Sequence, residues 1–195
     1  MRVGIGNKLL LCFLVLLITA TNSSAQQASQ DLVELSAVGA GPREMQEATR
    51  QSIARAYGRA WETLSRALAE NREDLLDSAF LGSARDALVQ LVRHQKATGI
   101  RQRYVDRGHK AEVLFYSPEG LSVQLRDRAQ FELQVLDGES VVHREQVTVS
   151  YIALLSPTEV TWKVRVLQAV PETTEGASAG AKPAQIFSRM RAPGE

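Results

Sequence analysis

The spacing of apolar side chains changes once along the chain, near residue 100. Before that point apolar residues recur every three or four positions, a spacing that favours a helix with one buried stripe. The clearest series is Ile53, Tyr57, Trp61, Leu64 and Leu68. We therefore predict a long helix over residues 43–71, with arginine and glutamate side chains on its solvent face.

Two shorter helices are predicted to follow. The first covers residues 73–81 and ends at Gly82, because glycine is favoured in the left-handed conformation that terminates many helices. Ser83 and Asp86 resemble a capping box that opens the next helix, and Gly99 is placed to end it.

From Ile100 onward the apolar period becomes two, which is typical of strands with one buried face. Turn signals separate the runs at 117–120 (Ser-Pro-Glu-Gly) and at 137–138 (Asp-Gly). The alternating apolar positions are Ala111, Val113 and Phe115; Leu121, Val123, Leu125, Ala129, Phe131, Leu133 and Val135; Val147, Val149, Tyr151 and Ala153; and Val160, Trp162, Val164 and Val166. Four antiparallel strands follow from this pattern.

The register of one hairpin can be worked out in advance. A two-residue turn at 137–138 would place odd-numbered positions opposite even-numbered ones, so the apolar sets of the two strands would face opposite sides of the sheet. One extra residue restores the match. We therefore predict a β-bulge between Val142 and Val147, or a three-residue turn with a bulge at Gly138.

Helices followed by an antiparallel meander indicate an α+β fold. The specific prediction is a set of N-terminal helices packed in the concave face of a strongly bent four-stranded antiparallel sheet.

The ends of the chain differ in composition from this domain. Residues 1–25 combine basic residues, an apolar run and small residues before Gln26, which is typical of a cleaved secretory signal peptide. Residues 26–41 are predicted to be a linker, 42–170 the folded domain and 171–195 a disordered tail. The expected location is periplasmic or extracellular, with membrane attachment only through an uncleaved signal segment.

Composition and charge narrow the function classes. The chain has 195 residues, and its 23 basic residues are balanced by 22 acidic ones, which disfavours a nucleic-acid binder. The single cysteine, Cys12, lies inside the signal segment, so the mature chain has no thiol for catalysis or for zinc. No phosphate loop, nucleophile elbow or metal motif occurs. We therefore expect no cofactor and no metal site.

Asp127 is the residue that best supports a chemical role. It occupies the phase of the inward-facing positions between Leu125 and Ala129. A carboxyl group desolvated there would have a raised pKa and would serve as a general base. The alternative is that Asp127 lies at a bend or rim of the sheet, either solvated or paired with an arginine.

Hydrogen-bond donors for such a base are also available, and together with Asp127 they form the predicted ligand pocket. Its members are Tyr57, Trp61, Tyr104, Asp127 and His143, with Tyr116 as a further donor. The alternative for the tryptophans Trp61 and Trp162 is ordinary core packing, which their helical and strand spacing favours.

The order of elements carries a resemblance to a known superfamily. The long helix with Tyr57 and Trp61, the helix ending at Gly99, the sequence Arg-Tyr-Val at 103–105 and the final strand with Val-Thr-Trp-Lys-Val at 160–164 resemble the nuclear-transport-factor-two-like, or cystatin-like cone, superfamily. Within it the pattern is most similar to the domain shared by mitochondrial import-motor and plastid-division scaffold proteins.

The resemblance and the lack of a catalytic set together imply a function. They imply a non-enzymatic binding or scaffolding module of the cell envelope, which holds a protein partner or a small apolar ligand in the cone pocket or on the sheet face. A homodimer through the sheet is a further expectation. The alternative is a small cofactor-free isomerase, lyase or hydrolase with Asp127 as general base.

Overall fold

The computed structural model describes residues 32–37 and 43–171, and these form an α+β fold as predicted. The elements, in chain order, are β1 (Val33–Ser36), α1 (Glu47–Glu70), a 3-10 helix (Glu73–Ser78), α2 (Gly82–Thr98), β2 (Ile100–Tyr116), β3 (Val123–Asp137), β4 (Ser140–Pro157) and β5 (Trp162–Val170). The predicted signal segment, both ends of the predicted linker and almost all of the predicted tail lie outside the described residues.

Helix α1 confirms the predicted amphipathic helix and begins four residues later than expected. Glu47 lies in its first turn, where a carboxylate is favoured by the helix dipole, and Asn71 ends it in a left-handed conformation at φ 54°. The predicted apolar stripe is buried, and Tyr57 is only 1% exposed. This stripe packs on one face of the sheet and forms the core with it.

The second and third helices differ from the prediction at their junction. Residues 73–78 form a 3-10 helix, and Gly82 is the first residue of α2 instead of the end of the preceding helix. Ser83 does not cap α2, because its hydroxyl donates a hydrogen bond to the carbonyl of Arg165 in β5. Gly99 ends α2 in the left-handed conformation at φ 73°, as predicted.

The sheet has five strands in the order β1-β2-β3-β4-β5, and it is mixed. The prediction of four antiparallel strands was therefore wrong by one strand. β1 pairs parallel with β2, and it lies in a segment predicted to be a linker. Its four residues alternate between buried and exposed, but four residues are too few for the period to stand out in the sequence.

The β3–β4 hairpin contains the predicted bulge. Its two-residue turn lies at Gly138 and Glu139, one residue later than expected, because Asp137 pairs with Ser140. The register then shifts between Leu136 and Val135, which pair with Val141 and His143, so that Val142 is the extra residue. Beyond this point the buried sets of both strands are in phase.

Two further irregularities lie in β2, where the register against β3 shifts around Arg107 and around Leu114. The second shift reverses the phase of the strand end, so that Tyr116 is buried and Phe115 is 40% exposed. The prediction that Phe115 faces inward was therefore wrong. Leu121 and Val160 were also predicted inward but lie in turns and are exposed.

One face of the sheet is covered by α1 and α2, and this is where the core lies. The other face carries mainly polar and charged side chains along β3. None of the helices in the described part of the chain is both long and apolar enough to cross a membrane. That the sheet is strongly bent stays a prediction.

Candidate functional site

Four of the five predicted pocket residues converge between α1 and the covered face of the sheet. Tyr57 and Trp61 lie on α1, Tyr104 lies on β2 and Asp127 lies on β3. All four are buried, with at most 6% of each residue exposed. The fifth, His143, lies elsewhere.

Asp127 is fully buried, as its phase along β3 predicts. The hydroxyl of Tyr57 donates to its Oδ2 at 2.8 Å, and Nδ1 of His109 lies 2.7 Å from the same oxygen. Among the described residues its other oxygen, Oδ1, has no hydrogen-bond partner. The alternative of a solvated or arginine-paired carboxylate at the rim was therefore wrong, because the buried phase runs through Asp127 without a break.

His109 is the member of this buried group that the sequence did not single out. Its residue is 3% exposed, and its Nε2 lies 3.2 Å from Oδ2 of Asp106. The backbone N–H of Gly108 donates to the other oxygen of Asp106 at 2.8 Å, which holds that carboxyl group in place. Both ring nitrogens of His109 are thus bound to carboxyl groups. That of Asp127 is fully buried and that of Asp106 is partly exposed.

A bulge in β2 explains how Asp106 and His109 come together. Asp106 pairs with Phe131 and Gly108 with Gln130, so Arg107 is an extra residue in β2. In a regular strand, residues three apart point to opposite faces. The extra residue brings Asp106 and His109 to the same face.

The sequence did contain a signal for His109. The residue is two positions before Ala111, so it belongs to the same inward phase as Asp127 does on β3. It does not stand out because the visible apolar alternation starts at Ala111, whereas β2 begins at Ile100.

Aromatic rings enclose the histidine on its remaining sides. The ring of Trp61 lies over that of His109 with centroids 4.7 Å apart and planes tilted by 36°. Tyr57 meets His109 edge-on at 5.9 Å, and Tyr151 meets Trp61 edge-on at 5.2 Å. A protonated imidazole in this position gains cation–π attraction from the indole face.

The charge state of His109 follows from these contacts. Burial lowers its pKa, but the hydrogen bonds and charges of Asp106 and Asp127 outweigh burial and raise the pKa to about 9. The ring is therefore an imidazolium at neutral pH, with both N–H groups donating to carboxyl groups. Burial, followed by the charge of Asp127, raises the pKa of Tyr57 well above its ordinary value, so Tyr57 remains a neutral donor.

A cleft of about 440 Å³ opens beside the cluster, between α1 and the strands β2 and β3. The wall includes the rings of Trp61, Tyr104 and Phe131, the last two stacked with centroids 4.7 Å apart. Burial raises the pKa of Tyr104 to about 12. His109 and Asp106 also line the cleft, whereas Asp127 lies behind His109, away from the lining.

The other predicted donors are placed away from the cluster. His143 lies one residue beyond the Val142 bulge, with 57% of its side chain exposed, and its Nε2 is 3.7 Å from Glu145. Tyr116, at the end of β2, lies beneath the guanidinium of Arg43 at 5.9 Å. Within the part of the chain that the structure describes, no group of three metal-ligating side chains occurs.

Comparison with known proteins identifies the fold but no family. No family model matches the chain, and no curated protein matches it. Among solved structures, the crystal structure of the intermembrane space region of the chloroplast protein ARC6 is similar, with a TM-score of 0.54 and 12% sequence identity. The match covers 66% of this chain and 98% of that one. At this level of identity the similarity shows a shared fold.

Proposed function

We propose that this protein is an exported, non-enzymatic binding or scaffolding module of the cell envelope, which acts in the periplasm or outside the cell. It holds a protein partner or a small apolar ligand in the cleft between α1 and the sheet. The export part of the proposal depends on the signal-like residues 1–25.

The closed hydrogen-bond cluster is the observation that carries this proposal. Asp127 is fully buried and is absent from the cleft wall, so a bound molecule has no direct access to it. Both nitrogens of His109 are engaged by carboxyl groups. A general base needs a free lone pair within reach of the substrate proton. In this cluster the ionisable groups bind one another, which supports a structural role and leaves the aromatic cleft for binding.

The fold supports the same proposal. The ARC6 intermembrane space region shares this fold, and the sequence resembles the domain of import-motor and plastid-division scaffold proteins. Membership of the nuclear-transport-factor-two-like superfamily is part of the proposal.

Photo-crosslinking in producing cells tests the binding role. A benzoyl-phenylalanine at Arg66, an exposed position in the cleft wall, is expected to yield a defined adduct with the bound molecule. Ala69→Trp fills the cleft and should remove the adduct. Gln130→Trp, on the opposite face of the sheet, should retain it. An adduct that persists in Ala69→Trp, or none at all, would contradict binding in the cleft.

One observation favours a second candidate, a cofactor-free enzyme. A buried carboxyl that holds Nδ1 of a histidine, with Nε2 toward a cleft, is an arrangement suited to proton transfer. Because His109 is protonated at neutral pH, it would act as a general acid after Asp106 moves aside. Turnover of a compound found in the cleft, abolished by His109→Gln and retained in His143→Gln, would establish this candidate over the first.

A further inference from the structure

The charged side chains in the wall of the cleft indicate which class of molecule it holds. They are Glu62, Arg66, Arg103, Asp106 and His109. Glu62 and Arg66 are exposed and lie one turn apart on α1, so water and the neighbouring opposite charge screen both of them. These two side chains therefore discriminate little between ligands.

The acidic and basic groups at the other end of the wall bind each other. Asp106 lies 3.2 Å from Nε2 of His109, and its second oxygen accepts the N–H of Gly108. The further carboxyl group of this cluster, that of Asp127, lies behind His109 and is absent from the wall. Arg103 is the charged group of the wall that is left to balance.

Arg103 is half-buried, and none of the described residues supplies it with a carboxylate within ion-pair distance. Its acceptor is neutral: Oε1 of Gln134 accepts from Nε at 2.9 Å and from Nη2 at 2.6 Å. Arg107, on the same strand, is paired with Glu132 at 3.1 Å. Because a partly buried charge is costly without a counter-charge, an anion in the cleft would stabilise Arg103.

The guanidinium of Arg103 is also held in position. Gln134 is only 7% exposed, and its Nε2 donates to Glu132 at 2.5 Å, which fixes the amide that Arg103 binds. A guanidinium has five N–H groups. The two on Nη1 have no acceptor in the part of the chain that the structure describes. A donor that is already oriented loses little conformational entropy when it binds an anion.

The rest of the wall suits a small aromatic body. The rings of Trp61, Tyr104 and Phe131 belong to it, and a planar ligand gains stacked or edge-on contacts with such rings. The volume of about 440 Å³ is in the lower part of the range for ligand pockets, which favours a small molecule.

We propose that the cleft binds a small aromatic acid, with its ring system against these three aromatic side chains and its anionic group on Nη1 of Arg103. This inference rests on the proposed binding function and selects a small ligand over a protein partner. A neutral or cationic aromatic molecule would leave the charge of Arg103 without a counter-charge.

Two fluorescent dyes that differ by one acid group test the proposal. Anilinonaphthalene sulfonate carries the group, and phenylnaphthylamine is the same aromatic molecule without it. We expect both dyes to bind the purified protein in fluorescence titrations. Arg103→Gln should weaken binding of the sulfonate dye about tenfold and change binding of the neutral dye less than twofold. Unchanged binding of the neutral dye shows that the cleft of this variant is intact.

Two matched variants remove the same charge elsewhere. Arg126 is exposed on the opposite face of β3, 3.8 Å from Glu112, so Arg126→Gln should leave the affinity for both dyes unchanged. Arg66→Gln removes a screened charge at the same cleft and should weaken binding of the sulfonate dye no more than about twofold. Equal losses in Arg66→Gln and Arg103→Gln would mean a diffuse positive field instead of a contact, and would overturn the proposal.

The outcomes separate this inference from the binding function itself. Ala69→Trp, which fills the cleft, should abolish binding of both dyes. If it does so while Arg103→Gln affects the two dyes equally or not at all, the aromatic acid is overturned and the binding cleft stands. If neither dye responds to Ala69→Trp, the cleft does not bind them, which contradicts both proposals.

Discussion

At the residue scale, the molecule contains a buried cation held between two carboxyl groups. His109 lies in the wall of the cleft, 2.7 Å from Asp127 and 3.2 Å from Asp106. Burying a charge is costly unless it is paired and hydrogen-bonded, and here both N–H groups of the ring have acceptors. The proton on His109 is therefore part of the folded structure.

This arrangement predicts a loss of stability at alkaline pH. The pKa of His109 is raised from 6.5 to about 9 in the folded state, so the folded chain binds this proton more tightly than the unfolded chain. The contribution is fully present below about pH 6.5 and is lost as the pH rises through about 9. We expect the free energy of unfolding to fall by about 3 kcal/mol across this range, as measured by urea denaturation.

Two variants check the origin of this effect. His109→Gln should remove the pH dependence, whereas His143→Gln, at an exposed position, should retain it. In Asp127→Asn the imidazolium loses its buried anionic partner, so NMR titration should show a lower pKa for His109 than in the parent. A parent protein whose stability is constant between pH 6.5 and 9.5 would show that His109 is not charged in the fold.

At the scale of elements, bulges decide which side chains meet. A strand places successive side chains on opposite faces, so a single extra residue changes the face of everything beyond it. Arg107 in β2 brings Asp106 and His109 to the same face, and Val142 in β4 aligns the buried residues of β3 and β4. The Arg107 bulge is therefore needed to bring Asp106 and His109 together.

Deletion of Arg107 should therefore be far more damaging than loss of its side chain. The deletion moves either Asp106 or His109 to the solvent face and separates the pair, so we expect the alkaline loss of stability to disappear together with several kcal/mol of folding free energy. Arg107→Ala removes only the ion pair between an exposed guanidinium and Glu132, whose carboxylate keeps its hydrogen bonds from Gln134 and Gln146, so it should cost about 1 kcal/mol. Urea denaturation at pH 7 and pH 9 compares the two; equal effects would mean that the bulge has no role in the cluster.

At the scale of the whole molecule, a short strand far from the others in sequence completes the fold. β1 pairs with β2 in parallel, and its Val33 and Leu35 join the core beside α1. The same strand covers the outer edge of β2 next to His109, since Val33 pairs with that residue. Residues 33–36 are thus part of the domain.

Truncation of one side chain in β1 tests this role. Leu35 is 4% exposed, so Leu35→Ala should lower the free energy of unfolding by about 2 to 5 kcal/mol. Glu34 lies on the exposed face of the same strand, and Glu34→Ala should change stability by at most about 0.5 kcal/mol. Urea denaturation measures both, and a Leu35→Ala variant as stable as the parent would mean that β1 does not stabilise the domain.

The sequence by itself determined what depends on neighbours along the chain. The apolar stripe of α1, the alternation in β3 and the terminating Gly99 are local patterns, and each predicted its element. The bulge in the β3–β4 hairpin also follows from the sequence. A two-residue turn pairs odd with even positions, and only an extra residue brings the apolar sets of both strands to the same face. The inward-facing position of Asp127 was predicted from the same alternation along β3.

Only the tertiary structure decided what depends on contacts between distant segments. β1 is too short to show a period, and its place beside β2 follows from burial against α1. The bulge at Arg107 has no apolar mismatch to reveal it, because between Val105 and Ala111 every side chain is polar or charged and the remaining residue, Gly108, has none. His109 and Asp127 are eighteen residues apart in sequence and meet only because the sheet register brings their strands together. The pKa of His109 arises from that meeting, so it is a property of the fold and not of any one segment.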